Sequence, residues 1–186
     1  MDSVIIRVIV FVILTILFTI VSWRSLLNPR SHGFYRFFAF EGIAFLALYN
    51  HPVWFDSPFS LQQCFSWLCL FFSIVLVVRG VKELLTLGGN RVRHETPENL
   101  AFENTQNLVQ DGLYRYIRHP MYTSLLLLAW GAFLKQISFE TVLAVSFVTV
   151  SLFLTAKVEE AENIRFFGPQ YNDYQQRSKM FLPFVF

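Results

Sequence analysis

Apolar runs of membrane-crossing length alternate with short polar breaks along this chain, and that spacing predicts a bundle of helices in a bilayer. The first run, Val4 to Trp23, has about the 20 residues that a crossing needs, and Arg7 can snorkel from its first turn. It is too long for a secretory h-region, and LLNPR follows in place of a small-residue cleavage site, so it reads as a retained span. Pro29 and Gly33 then break the helix. Span two is Tyr35 to about Tyr49, with Glu41 inside it. The turn HPVWFDSP carries Trp54 and Phe55 at the position of an aromatic belt. Span three runs from Leu61 to about Val81, with Arg79 near its end. Lys82 to Asp111 is the long polar segment, with Gly88-Gly89 and Pro97, and loops of that length are functional or disordered. Span four, Pro120 to Leu134, and span five, Phe139 to about Lys157, make a tilted hairpin around Lys135 to Ser138. A polar helix follows, broken at Gly168-Pro169 and ended by Pro183.

The expected architecture is an all-α integral membrane protein of about five transmembrane helices with a C-terminal cytosolic helix. It is one domain over 1–186: three spans in 1–81, a cytosolic loop in 82–119, the hairpin in 120–157 and a cytosolic tail in 158–186. Composition agrees. Of 186 residues, 54% are hydrophobic and 22 are Phe, whereas 15% are charged, against about 25% in soluble domains. A net charge of +2 gives no footing for nucleic acid. Cys64 and Cys69 lie in one apolar run and read as buried thiols, with no metal or disulfide framework implied. Lys and Arg set the orientation. The loop after span one carries Arg24, Arg30 and Arg36. The next long loop carries Lys82, Arg91, Arg93, Arg115 and Arg118, and the tail carries Lys157, Arg165, Arg177 and Lys179. The two remaining turns share Lys135. Five spans then place the N-terminus outside and the long loop and tail in the cytosol, in a bacterial inner membrane rather than the endoplasmic reticulum.

The candidate chemistry sits where the apolar runs meet that polar side. Arg118 and His119 stand directly before Pro120, which suits a first helical turn. A helix start offers free N–H groups and positive potential, so with Arg and His it suits an anionic group. The same cations would also serve as headgroup anchors. At the other boundary, Glu159 and Asn163 share a helix face, and Glu160 points about 100° away. One carboxylate can therefore face a cavity while its neighbour pairs with Arg or Lys, although on these residues alone a solvated pair is the plainer reading. Glu41 and Arg79 are charges within spans, either functional or paired with each other or with Arg36. GxGxxG after a strand, GxxxxGK[ST] and HExxH are missing from the sequence.

NLVQDGLYRYIRHPMY, and EEAENIRFFGPQYNDYQQRSKMFLP about forty residues on, resemble the isoprenylcysteine carboxyl methyltransferases and their phospholipid-methylating relatives. The matching positions are Gly112, Tyr114, Arg118, His119, Pro120, Tyr122, Glu159, Glu160, Phe167, Gly168, Tyr171, Tyr174 and Pro183. The resemblance covers about the last eighty residues and implies S-adenosyl-L-methionine held at the cytosolic face. It implies cofactor contacts from His119, Pro120, Met121 and Tyr122, with Tyr114 and Glu159 beside them, and from Gln106, Leu108 and Val109 in the preceding segment. Arg118 and His119 would hold the methionine carboxylate, and Glu160 or His119 would assist where a thiol or amine must lose a proton. Thr155 stands where prenylcysteine enzymes carry a substrate-binding Arg, and Arg177 could replace it only from a folded-back tail.

These residues imply methylation of an amphiphilic, lipid-like or prenylated acceptor entering from the bilayer, first of all an isoprenylcysteine-like carboxylate. A phospholipid amine or a small thiol comes next. An NADPH-dependent membrane reductase of related fold and a non-catalytic membrane partner are the other classes.

Overall fold

The computed structural model describes residues 2–89, 103 and 105–183. Among them the regular elements are six α-helices: α1 (Asp2–Leu26), α2 (His32–Tyr49), α3 (Leu61–Leu87), α4 (Pro120–Phe133), α5 (Phe139–Phe167) and α6 (Pro169–Arg177). Two short 3-10 turns, His51–Val53 and Gly112–Arg115, join them. Arg91, Arg93 and Pro97 lie outside the described residues.

Three helices are long and apolar enough to cross a membrane: Ser3–Leu26, Leu61–Leu87 and Phe139–Phe167. This marks a membrane protein. Of the other two expected spans, α4 is apolar but has 14 residues, and α2 has 18, with Arg36 and Glu41 among them. The expected boundaries move in three places. Span three does not stop at Val81; it runs on to Leu87, where Gly88 caps it by donating its N–H to Leu84 O. Span five and the polar helix beyond Lys157 are one unbroken helix of 29 residues, because EEAEN contains good helix formers and the first breaker is Gly168. The tail helix ends at Arg177, not Pro183, because Ser178 turns extended (φ −120°, ψ 160°) and starts a stretch that pairs with the chain before α4.

Packing follows small residues. α3 lies on α4, with Leu70 so close to Gly131 that a Cβ there would stand 2.8 Å from its side chain. Ser66 donates to Gly131 O at 2.7 Å across the same contact. α2 lies on α5, where Ala39, Ile43 and Leu46 meet Val145, Val148 and Leu152. α1 stands outside this core with Val4, Ile9, Ile13, Ile16 and Ile20 exposed, as a lipid-facing helix would. Arg7 does more than snorkel, since its Nη1 donates to Leu48 O and Tyr49 O at the end of α2. Glu41 pairs with neither Arg79 nor Arg36: it accepts from Thr15 Oγ1 at 2.8 Å, and Arg36 pairs with Glu103. The expectation of buried thiols also fails. Cys64 is exposed and Cys69 half-buried, on the outward face of α3 that also shows Phe65, Leu68 and Phe72.

Candidate active site

The site forms where the chain before α4 meets the end of α5 and the tail. Gly112 opens the approach with φ +62°, and any Cβ there would run into the Glu83 carboxylate. Glu83 in turn accepts from Leu113 N at 2.9 Å. The tail then folds back beside this segment. Arg118 N donates to Lys179 O at 2.7 Å, Lys179 N to Tyr116 O at 3.0 Å and His119 N to Met180 O at 3.2 Å. Thr123 Oγ1 adds a bond to Phe181 O at 3.0 Å.

This fold-back brings the two distant polar patches together. Arg118 Nε donates to Glu160 Oε1 at 2.7 Å, and its Nη1 donates to Gln175 O and Ser178 O. Glu160 also reaches Lys157 Nζ at 3.4 Å. His119 lies between both carboxylates: Nδ1 is 3.7 Å from Glu159 and Nε2 is 3.5 Å from Glu160. Nε2 is buried and makes no hydrogen bond among the described residues. Burial draws the His119 pKa down, but the neighbouring Glu159 and Glu160 carboxylates outweigh it, so the net shift is upward from 6.5. The ring stacks on Tyr122 at 5.4 Å.

Glu159 and Asn163 face a cleft. Leu108, Val109 and Tyr114 line one side of it, and His119, Pro120, Met121 and Tyr122 the helix start. Phe167, Tyr171 and Tyr174 add an aromatic wall, fixed by Tyr174 O–H donating to Tyr114 O at 2.6 Å. The amides of Met121 and Tyr122 precede the first intrahelical donor, Thr123 N, so among the described residues they are the free donors of this helix start.

Other candidates fall elsewhere. Gln106 is off the cleft wall, and its N–H is tied to Gly88 O at 2.8 Å. Thr155 is fully buried, with Oγ1 donating to Ser151 O within its own helix. The tail does fold back, yet Arg177 points outward to Gln110 Oε1 at 2.9 Å. Glu160 is off the cleft wall and holds the Arg118 side chain, which itself lines the cleft.

Three lining residues have no signal in the sequence: Leu84, Glu103 and Thr105. Leu84 enters only because α3 outlasts its apolar run. Glu103 is held by residues far away in the chain. It pairs with Arg36 and lies 3.3 Å from His32 Nε2, while His32 Nδ1 lies 2.7 Å from Glu162 Oε2. Burial pushes the Glu103 pKa up, but Arg36 and His32 pull it further down, so it stays a carboxylate.

The family model described as phospholipid methyltransferase matches residues 61–170, from the start of α3 to the first turn of α6. The chain belongs to the phospholipid methyltransferase family. Within this family it is similar to methanethiol S-methyltransferase 1 of Bradyrhizobium diazoefficiens, 32% identical over 71 residues, which is 38% of this chain and 24% of that protein. It is similar to protein-S-isoprenylcysteine O-methyltransferase of Schizosaccharomyces pombe, 33% identical over 79 residues, 42% of this chain and 34% of that protein. A longer match, to methanethiol S-methyltransferase of Crocosphaera subtropica, is 23% identical over 175 residues, 88% of this chain and 66% of the relative. The chain thus spans less than two thirds of the length of these relatives. No solved structure gives a significant match.

Proposed function

We propose that this phospholipid methyltransferase family member transfers a methyl group from S-adenosyl-L-methionine to an amphiphilic acceptor drawn from the bilayer. One observation carries the reading: a single cleft joins a cationic helix start, a carboxylate and an aromatic wall. The Arg118 guanidinium, the His119 ring and the Met121 and Tyr122 amides, all on the cleft wall, fit the carboxylate of the methyl donor. Glu159 and Asn163 fit its ammonium and hydroxyl groups, and the Tyr and Phe faces fit adenine and the sulfonium. When bound, the donor supplies an electrophilic methyl on a positively charged sulfur.

The protein's own part is alignment and exclusion of water, because charge disappears during an in-line transfer. Glu160 holds Arg118 and with it the helix start against α5 and the tail, so it acts as a positioning residue in place of acid–base work. Arg118, on the cleft wall, keeps its role toward the donor carboxylate. The charged end of the bundle is the cytosolic end, with five crossings and an outside N-terminus, in a bacterial inner membrane.

The acceptor class proposed first is the carboxylate of an isoprenylcysteine-like molecule. A small apolar thiol is the second reading, and Thr155 favours it: with no cation at that position and Arg118 committed to Glu160 and the donor carboxylate, a carboxylate acceptor lacks a clamp on α5. A phospholipid amine stands behind both. The relatives' names are those of methyltransferases, which leaves NADPH-dependent reduction without support. The deciding experiment supplies labelled S-adenosylmethionine to reconstituted protein with farnesylcysteine, an alkanethiol or phosphatidylethanolamine, and identifies the labelled product by mass. Label in none of the three, with donor binding intact, would refute the acceptor assignments.

A further inference from the structure

A second, open cavity lies between the α1–α2 loop and another face of α5. Arg30, Lys157 and Arg165 line it, over an apolar floor of Leu154, Val158 and Ala161. Val158 and Arg165 lie about 100° to 120° around the helix from Glu159, so this cavity is separate from the methyl-donor cleft. All three cations are exposed. Among the described residues, neither the Arg30 nor the Arg165 guanidinium has a carboxylate partner, and Lys157 keeps 52% of its side chain open beside Glu160. The carboxylate at the cavity, Glu162, is compensated from inside. Its Oε1 accepts from His32 N at 3.1 Å, and its Oε2 lies 2.7 Å from His32 Nδ1. The cavity is therefore positive at its mouth and apolar at its base. Below it Phe147, Val150 and Leu154 form one exposed apolar line along α5.

We propose that this cavity binds the headgroup phosphate of an anionic glycerophospholipid, whose acyl chains lie along the Phe147–Val150–Leu154 line. Two guanidiniums and an ammonium around one space match phosphate oxygens in charge and in forked hydrogen bonding. The apolar strip selects a lipid over a free anion. The site does not depend on the methyl-transfer reading, and its test uses no turnover.

The full chain is reconstituted in phosphatidylcholine nanodiscs with a minor fraction of phosphatidylglycerol, released gently, and weighed by native mass spectrometry. One retained phosphatidylglycerol is expected. In R30Q/R165Q retention should weaken roughly 30-fold, the product of two basic contacts, with an unchanged detergent melting temperature showing that it is folded, while R30K/R165K, which keeps both charges, should keep most of it. R115Q/K179Q removes the same charge elsewhere at this end of the protein and should leave retention unchanged. Equal retention by wild type and R30Q/R165Q, or equal loss in R115Q/K179Q, overturns the proposal. Displacement of the lipid by millimolar inorganic phosphate also overturns it, in favour of a free-anion site.

Discussion

The two ends of the helix bundle bury polar side chains in different ways. At the end near the α2–α3 turn, the acceptors are main-chain carbonyls at the end of α4. Asn50 Nδ2 donates to Ala132 O and Gln136 O, Gln62 Nε2 to Leu134 O and Gln63 Nε2 to Lys135 O. Lys135 is 3% exposed, its Nζ bonded to Gln63 Oε1 at 3.0 Å and set 3.4 Å above the Trp67 ring. At the other end the acceptors are side-chain carboxylates, Glu103, Glu159, Glu160 and Glu162, facing Arg36, Arg118, His32 and His119. Unpaired buried atoms occur at both ends, Asn50 Oδ1 and Trp54 Nε1 at one and His119 Nε2 at the other, so incomplete pairing does not by itself mark function. What separates the ends is the cleft: His119 and Glu159 border open space, while the amides around Lys135 close off orphan carbonyls that a helix end must satisfy. The first end is stability, the second is stability placed around a cavity.

The largest effect should come from separating the Arg118–Glu160 pair. Removing one partner strands a buried charge, and such losses run at about 3–5 kcal/mol. Arg118→Ala and Glu160→Ala should each lower detergent thermal stability on that scale. The double variant should lose clearly less than the two losses added together, because the pair is one interaction. Simple additivity would show that Arg118 is held by the tail carbonyls alone.

Next comes ligand binding, which the two ends should not share. His119→Ala and Glu159→Ala should each weaken S-adenosylhomocysteine, measured by titration calorimetry, by about 10- to 100-fold, as expected for lost hydrogen bonds to charged groups. Gln63→Ala should bind it normally. The Gln63 change should instead lower stability by about 2 kcal/mol, since it removes the acceptor of a buried ammonium. Reduced binding in Gln63→Ala with full binding in His119→Ala would reverse the assignment of the two ends.

The charged end was partly legible before any coordinates because its markers are local. Arg118-His119-Pro120 announces a helix start, and Glu159-Glu160 one turn before Asn163 announces a carboxylate on each of two faces. The division of labour between that pair also follows from the 100° step, and Glu159 does face the cleft while Glu160 pairs with Arg118. Glu103 with His32 and Arg36 was not legible, because its partners are separated by about 70 residues and Glu162 by 130 from His32. No periodicity encodes such pairing. Arg36 was read as a loop charge that sets orientation or as a partner for a charge within a span, yet it is 2% exposed and holds one wall of the cleft through Glu103. The fate of Lys135 was equally hidden: a lone Lys in a tight turn reads as solvated until two Trp rings are seen to enclose it.

The smallest effect tests the charge on His119. Its pKa is raised above 6.5 because the two neighbouring carboxylates outweigh burial. A raised value means the ion pairing is fully present below 6.5 and is lost as pH rises through the elevated value. Tyr114 and Tyr174 do not compete in this window, since burial above all pushes both phenols further up from 10. S-Adenosylhomocysteine affinity should therefore hold steady at mildly acidic pH and decline by about fivefold on the alkaline side, the difference between a charged and a neutral donor to a carboxylate. His119→Gln should bind more weakly than wild type and show no such decline, and the Gln63→Ala profile should follow wild type. A wild-type profile that stays flat through the alkaline range would mean that the imidazolium charge is not what the cleft offers its ligand, leaving Arg118 and the Met121 and Tyr122 amides as the anion-binding element.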